Sequence, residues 1–217
     1  MKVLIACEES QEVCKAFRAR GFDAFSNDII DCSGGHPEWH LKMDALEAIE
    51  LEKWDLIIAH PPCTYLSAAG AARLYGGGSI NTDRFQKGME AKTFFMSLYN
   101  ADCRHMALEN PTPLKIFGLP RYDQAIQPFQ FGEPYRKRTC LWLRGLPQLE
   151  PTNIILDGIR SWVDGGGSNR ENRGLKRNQR EREREREREV KPFPASPGQW
   201  QSSGETTSCK NYENPIH

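Results

Sequence analysis

Two short motifs place reactive side chains directly after apolar runs. Cys63 closes a Pro-Pro-Cys turn that follows the run Leu56–Ala59, and Glu109 opens a Glu-Asn-Pro triplet that follows residues 106–108. A thiolate can add to an electron-poor ring and later leave it, which makes cysteine suited to this chemistry. A carboxyl group that hydrogen-bonds the same ring assists the attack by drawing electrons from it. The two motifs together predict covalent chemistry on a ring substrate.

The order of the predicted elements determines where these motifs lie. Short apolar runs alternate with segments of helical periodicity, which is typical of an α/β fold with a doubly wound, mostly parallel sheet. The predicted strands are residues 3–7, 23–28, 54–59, 106–108 and 139–143, and the predicted helices are residues 12–20, 45–50 and 84–99. The glycine-rich stretch 70–83 is predicted to be a mobile loop. Ligands of such sheets bind beyond the carboxyl ends of the strands, where both motifs fall.

With these motifs in this order, residues 1 to about 153 resemble the DNA cytosine carbon-5 methyltransferases, and more closely the short phage and prophage members of that family. The resemblance implies a Rossmann-like fold, S-adenosyl-L-methionine as methyl donor, and a cytosine base of DNA as substrate. It also implies that Cys63 adds to carbon 6 of the ring. Glu109 would hold ring N3 and the exocyclic amine while carbon 5 receives the methyl group.

The resemblance places the methyl donor at the carboxyl ends of the first strands. The turn from Cys7 to Gln11 contains no glycine, whereas family members have one there. Asp28 matches the carboxylate on the ribose hydroxyls, and Asp44 matches the acidic residue near the adenine. The residues expected to contact S-adenosyl-L-methionine are Cys7, Glu8, Ser10, Asp28, Asp44 and Pro61.

Basic residues precede the predicted strand 139–143. The family places cations here near the base and its phosphates, so Lys137 and Arg138 join Cys63 and Glu109 as expected catalytic residues. Each assignment has a simpler alternative. A basic turn can be solvated, an aspartate can lie on the surface, and a cysteine after a turn can be a packing thiol. His60 fits either a cleft or the core, and a core histidine with satisfied hydrogen bonds is slightly favoured.

Composition limits other classes of function. The chain has 217 residues with 29 Lys/Arg and 29 Asp/Glu, but residues 1–159 carry 17 basic and 20 acidic side chains. This region therefore lacks the positive field that usually supports DNA binding. Seven cysteines show no zinc-ligand spacing, so we expect reduced thiols in a bacterial or phage-infected cytoplasm, and no metal. No apolar run reaches the roughly 20 residues of a membrane-spanning helix, so we expect no membrane partner.

The C-terminal part differs from the rest in composition. We expect a catalytic domain at residues 1–160 and a low-complexity, disordered tail at residues 161–217, because residues 180–189 are five Arg-Glu repeats without apolar surface. A GA dinucleotide repeat encodes Arg-Glu, and a change in its length shifts the reading frame. Another frame allows an amphipathic helix like the closing segment of the short phage enzymes, which packs on the first strand. Without that helix we expect Val3 and Ile5 to lose their cover.

Two other functions stay open from the sequence. Methyltransferases that act on exocyclic amines carry an aromatic residue after Pro-Pro, and Cys63 occupies that position here. A shortened form that binds nucleic acid without turnover is the second alternative, because the catalytic region is acidic and the tail is altered. The sequence names neither a target DNA sequence nor a protein partner.

Overall fold

The computed structural model of the protein describes residues 1–161. The Arg-Glu repeat lies outside the described residues, and so does nearly all of the predicted tail. None of the helices within residues 1–161 is long and apolar enough to cross a membrane.

The described residues contain one large, mostly parallel sheet. Their strands are β1 (Lys2–Ala6), β2 (Asp23–Asp28), β3 (His40–Lys42), β4 (Leu56–Ala59), β5 (His105–Pro111), β6 (Gln124–Ile126), β7 (Tyr135–Arg136), β8 (Thr139–Arg144) and β9 (Arg160–Ser161). Seven of them form the sheet in the order β3-β2-β1-β4-β5-β8-β6, and β7 pairs with β9. The first five strands in that order are parallel, while β8 runs antiparallel to β5 and β6. The predicted α/β fold class is confirmed.

Helices cover both faces of the sheet, as the doubly wound prediction requires. They are α1 (Glu12–Arg18), α2 (Ala45–Leu51), α3 (Ala71–Leu74) and α4 (Thr82–Tyr99). Val3 and Ile5 point to the face covered by α1, where they pack with Cys14. Leu4 points to the opposite face and joins a larger cluster that includes Phe95 of α4. Val3 and Ile5 are both 0% exposed, so the expected loss of their cover is wrong.

The predicted loop 70–83 is partly helical. Leu74 at the end of α3 is fully buried in the core, which fixes this segment on the sheet although glycine is abundant around it. α4 begins at Thr82, two residues before the predicted start, because the Asn81 side chain accepts a hydrogen bond from the Arg84 N–H and caps the helix. The prediction of a loop is therefore wrong for α3 and for the first turn of α4.

Two strands, β3 and β4, also differ from the prediction. The sequence does not predict β3, because it has no apolar run. The Asn27 side chain secures this strand by donating to the carbonyl oxygens of Leu41 (2.8 Å) and Met43 (2.9 Å). β4 begins at Leu56 and excludes Trp54, whose Nε1 donates to the Ala48 carbonyl of α2 at 2.9 Å. In both places a side-chain hydrogen bond to the backbone decides the local structure.

Candidate active site

The carboxyl ends of β4 and β5 lie side by side. The two strands are parallel neighbours, and Ala59 is paired with Leu108. One further step in the same register sets His60 beside Glu109. The Pro-Pro-Cys turn with the half-buried Cys63 starts directly after His60. The structure therefore brings the two sequence motifs to one edge of the sheet.

A buried asparagine ties the two motifs together. Asn110 is fully buried, and its Nδ2 donates to the Pro61 carbonyl oxygen at 3.1 Å. This bond joins the residue after Glu109 to the turn that carries Cys63. The Asn110 Oδ1 atom is also buried and has no hydrogen-bond partner among the described residues. Asn110 therefore fixes the separation of the nucleophile turn and β5.

The segments that follow the two motifs are held together by backbone hydrogen bonds. The Leu66 N–H donates to the Cys63 carbonyl at 3.1 Å and closes the turn. The Ala68 N–H donates to the Thr112 carbonyl at 2.8 Å, and the Leu114 N–H donates to the Leu66 carbonyl at 2.7 Å. Cys63 is thus carried on a segment that is fixed at both ends.

Two cations from α4 lie against the turn after Cys63. The Arg84 guanidinium lies 4.9 Å from the centre of the Tyr65 ring, and Lys87 Nζ lies 5.5 Å from the same centre. Arg84 also donates to the Thr64 carbonyl at 2.6 Å. Cation–π contacts of this kind hold the ring and the charges in place. They place two positive charges beside the turn that carries Cys63, which suits an anionic ligand.

Other cysteines of the described region are less suited to nucleophilic attack. Burial raises the pKa of the Cys14 thiol to about 11, so this thiol is neutral at pH 7. Burial also raises the pKa of Cys140, which lies in β8 opposite Asn110. Both are fully buried, whereas Cys63 is half-buried in a turn at the ligand edge. Position and exposure therefore favour Cys63 as the nucleophile.

The turn after β1 takes glycine-like backbone angles without glycine. Cys7 has φ +60° and Gln11 has φ +59°, both in the left-handed region. Gln11 is fully buried, and its side chain bonds Ser26 Oγ (3.1 Å) and both backbone groups of His36. Gly34 packs so closely that a Cβ there would lie 2.5 Å from the turn. These contacts hold the turn in a shape that the sequence alone did not predict.

Glu8, expected to contact the donor, instead caps α1. Its carboxylate accepts hydrogen bonds from the backbone N–H groups of Val13 and Cys14, and the residue is only 6% exposed. The N-cap position itself, Gln11, makes no side-chain cap. Burial raises the pKa of Glu8, and the two backbone bonds counteract this in part. The Glu8 carboxylate is therefore committed to the helix.

The two aspartates expected at the donor both lie at the carboxyl-end edge. Asp28 ends β2, is 5% exposed, and accepts from the Ile29 N–H at 2.8 Å. Asp44 caps α2 by accepting from the Leu46 N–H at 2.8 Å. Beside them, Asn27 Oδ1 is buried and no described residue hydrogen-bonds it. Buried carboxylate and amide oxygens are thus gathered where a ligand with hydroxyl and amine donors would bind.

The remaining residues that we expect to contact the methyl donor lie between this edge and the Cys63 turn. Pro61 is buried directly after β4, and its carbonyl is engaged by Asn110. Ser10 is half-buried in the turn after β1, and its carbonyl faces Gly34. β1 and β4 are parallel neighbours, so the Cys7 turn and the Pro61 turn share one edge. All six residues that we expect to contact the methyl donor therefore lie in this part of the molecule, although the Glu8 carboxylate also caps α1.

The basic pair before β8 is exposed. Lys137 and Arg138 lie on the surface, and Arg138 donates to the Tyr122 hydroxyl at 2.7 Å. The charges of Arg138 and Glu109 act in opposite directions on the pKa of Cys140, which places all three groups in one neighbourhood. Arg138 thus brings a positive charge to the edge that carries Glu109.

His60 lies beside Glu109, although the sequence slightly favoured a core position for it over a cleft position. Its Nδ1 lies 3.6 Å from Glu109 Oε2, and both side chains are partly exposed. Its Nε2 is buried without a hydrogen-bond partner among the described residues, so the expectation of a satisfied core histidine is wrong. The signal available in the sequence was its position, one residue after the predicted strand and directly before Pro-Pro.

No protein-family model matches the chain, and no curated protein matches it. Solved structures do. One is described as a DNA modification methyltransferase encoded within an E. coli prophage (16% identity, 66% of this chain and 46% of that chain, TM-score 0.39). Others are the Entamoeba histolytica methyltransferase EhMeth (17%, 71% and 57%, 0.45) and the S. pombe Dnmt2 methyltransferase (13%, 76% and 52%, 0.41). The chain covers about half of the length of each.

Proposed function

We propose that the protein methylates cytosine at carbon 5 in DNA and uses S-adenosyl-L-methionine as methyl donor. The observation that supports the proposal is that the Cys63 turn and Glu109 lie at the carboxyl-end edge of two adjacent parallel strands, where the hydrogen bond from Asn110 to Pro61 joins the turn to β5. A nucleophile and a carboxyl group fixed at one edge suit covalent attack on a base that lies between them.

Each reacting group has one task in this proposal. The Cys63 thiolate adds to carbon 6 of the ring, and Glu109 hydrogen-bonds N3 and the exocyclic amine, which makes carbon 5 nucleophilic. After methyl transfer a base or water removes the carbon-5 proton and the thiolate leaves. Lys137 and Arg138, exposed beside the same edge, contact the phosphates of the DNA strand.

The residues at the β1, β2 and β4 ends fit the donor. S-adenosyl-L-methionine would supply an electrophilic methyl group next to Cys63. Asp28 and Asp44 offer carboxylate oxygens to its ribose and adenine, and Asn27 Oδ1 is a buried acceptor beside them. Cys7, Ser10 and Pro61 border the remaining part of the site. Glu8 supports this site by holding α1, because its carboxylate accepts from the Val13 and Cys14 N–H groups.

Trapping with a 5-fluorocytosine oligonucleotide tests the proposal. The full-length protein, mixed with the donor and the oligonucleotide, should form a covalent adduct that persists on denaturing gels, because fluorine blocks the final proton removal. Cys63→Ser should abolish the adduct, and Cys32→Ser, which changes another half-buried thiol, should not. Absence of an adduct with the unaltered protein would refute the proposal, and an adduct in Cys63→Ser would refute the nucleophile.

Mass spectrometry of digested product DNA separates this reaction from methylation of an exocyclic amine. We expect 5-methylcytosine. N4-methylcytosine or N6-methyladenine would instead assign the chain to the amine-directed class, in which no covalent Cys63 adduct forms.

A further inference from the structure

His60 and Glu109 face each other across the β4–β5 edge. Nδ1 of His60 lies 3.6 Å from Glu109 Oε2, which is an ion-pair distance slightly longer than a hydrogen bond. Catalytic hydrogen bonds are often long before the substrate is bound and shorten in the complex. His60 lies at ion-pair distance from Glu109, and it is a cation only when its ring is protonated. Arg138, the other nearby cation, is hydrogen-bonded to Tyr122.

The second ring nitrogen of His60 gives an independent indication. Nε2 is buried, yet no described residue hydrogen-bonds it. Buried polar atoms nearly always have a partner, and exceptions are found among groups that act in catalysis. His60 therefore combines a contact to Glu109 with an open hydrogen-bonding position.

A second carboxyl group lies on the other side of His60. The charge of His60 acts on Glu8, where it opposes the burial that raises the pKa of that carboxyl group. Glu8 follows β1, His60 follows β4, and Glu109 lies in β5, so the three groups come from three successive strands of the sheet. Both strands that neighbour β4 in the sheet thus carry or precede a carboxyl group, of which Glu109 is the one within 3.6 Å of the His60 ring.

We propose that His60 supplies the proton that Glu109 passes to ring N3 of the target cytosine. As the Cys63 sulfur bonds carbon 6, the Nδ1 proton of the His60 imidazolium passes to the Glu109 carboxylate, and Glu109 passes it on to N3 and becomes a carboxylate again. The imidazole is left neutral. When the thiolate leaves carbon 6, N3 returns its proton to Glu109 and Glu109 returns one to His60, so atoms and charge balance. This inference rests on the proposed function of Cys63 and Glu109.

Several other groups contribute to the pH dependence around His60. The titratable and charged groups at this edge are Cys7 and Glu8 after β1, Cys63 in the turn after β4, Glu109 in β5, and Arg138 before β8. The Cys63 thiolate requirement makes the rate rise with pH. The requirement for a proton on His60 acts in the opposite direction, so the rate should fall where that proton is lost.

Exchange of the cytosine carbon-5 hydrogen for solvent deuterium tests the role of His60 without the methyl donor. Addition of Cys63 to carbon 6 makes carbon 5 basic, so the full-length protein should exchange this hydrogen in a cytosine oligonucleotide. The rate is measured by mass spectrometry from about pH 5.5 to 9, the range that brackets histidine titration. The variants are His60→Asn, which keeps a donor near Nδ1 but does not titrate, and His60→Gln. His105→Asn, at the opposite end of β5, is the matched control.

We expect His60→Asn and His60→Gln to exchange about 10-fold to 100-fold more slowly near pH 6, with the difference disappearing toward pH 9, as expected for loss of a proton donor. His105→Asn should follow the unaltered protein. Either no loss of rate or a loss that is the same at every pH would overturn the role of His60. In that case, exchange by the unaltered protein would still support the proposed function. If the unaltered protein neither exchanges nor forms the adduct, the proposed function itself fails. Thermal melting shows whether each variant is folded; two folded variants with unchanged pH profiles contradict the proposal.

Discussion

At the scale of single residues, Asn110 decides the geometry of the site. Its side chain has no exposed surface, and its Nδ2 holds the Pro61 carbonyl at the base of the nucleophile turn. The bond is made inside the protein, where an unpaired carbonyl is costly. Glu109 is the residue directly before Asn110, so the same side chain also limits the direction of the Glu109 carboxyl group. One amide therefore positions both groups of the reaction that we propose.

Replacing this amide should reduce both stability and rate. Asn110→Ala leaves the Pro61 carbonyl buried without a donor, and we expect the free energy of unfolding to fall by about 1–3 kcal/mol. The Cys63 adduct should form more slowly, because the turn is no longer fixed against β5. Urea unfolding and adduct formation measure the two effects. Asn100→Ala, at the exposed C-cap of α4, is the control and should leave the adduct rate unchanged; an equal loss of rate there would contradict this role of Asn110.

At the scale of elements, α1 depends on a carboxylate from outside the helix. Glu8 binds the N–H groups of Val13 and Cys14, which have no partner inside the helix because they belong to its first turn. The contact links the turn after β1 to α1, and α1 in turn covers Val3 and Ile5. The turn after β1, which we expect to contact the methyl donor, and the helix that covers Val3 and Ile5 are therefore one structural unit.

The pH dependence of stability reveals the burial of Glu8. Burial raises the pKa of Glu8 above 4.5, so the folded state disfavours its charged form. The stability that comes from this shift is fully present below about pH 4.5 and is lost as the pH rises through the raised pKa. The free energy of unfolding of the unaltered protein minus that of Glu8→Gln should therefore fall from about pH 4 to 7. Urea unfolding measures it, with the exposed Glu50→Gln as control; a constant difference would contradict the shift.

α4 packs closely against the core at Gly88, because glycine has no side chain. A Cβ at Gly88 would overlap the ring of Phe117, which is 1% exposed and stacks on Phe85. Gly88→Ala gains about 1 kcal/mol of helix propensity but overpacks the core at about 1–3 kcal/mol, so the melting temperature should fall. Gly76→Ala, where an added Cβ meets nothing within 4 Å, should not lower it. A higher melting temperature for Gly88→Ala would show that the ring moves freely.

At the scale of the whole molecule, apolar runs made most of the sheet predictable. β1 and β4 are continuous apolar segments, and their parallel pairing places any residue that follows them at one edge. β3 was not predictable in this way, because it is a polar strand held by the side chain of Asn27. The contact between His60 and Glu109 depends on the register of β4 and β5, which the sequence does not reveal. Residue types identified the candidate groups, while the register and side-chain hydrogen bonds determine which residues these groups contact.

The final prediction concerns the boundary of the folded unit. Among residues 1–161, α1 and Leu146 cover the face around Val3 and Ile5, and the remaining chain includes the Arg-Glu repeats at residues 180–189, which carry no apolar side chain. Deleting residues 162–217 should therefore change the free energy of unfolding by less than about 0.5 kcal/mol, as for changes remote from the core, and leave the urea m-value unchanged. Truncation after Arg144 removes Leu146 from its cluster and should destabilise the protein, which makes it the matched control. A loss above about 1 kcal/mol on deleting 162–217 would mean that the tail packs on the described domain, because remote deletions do not have that cost.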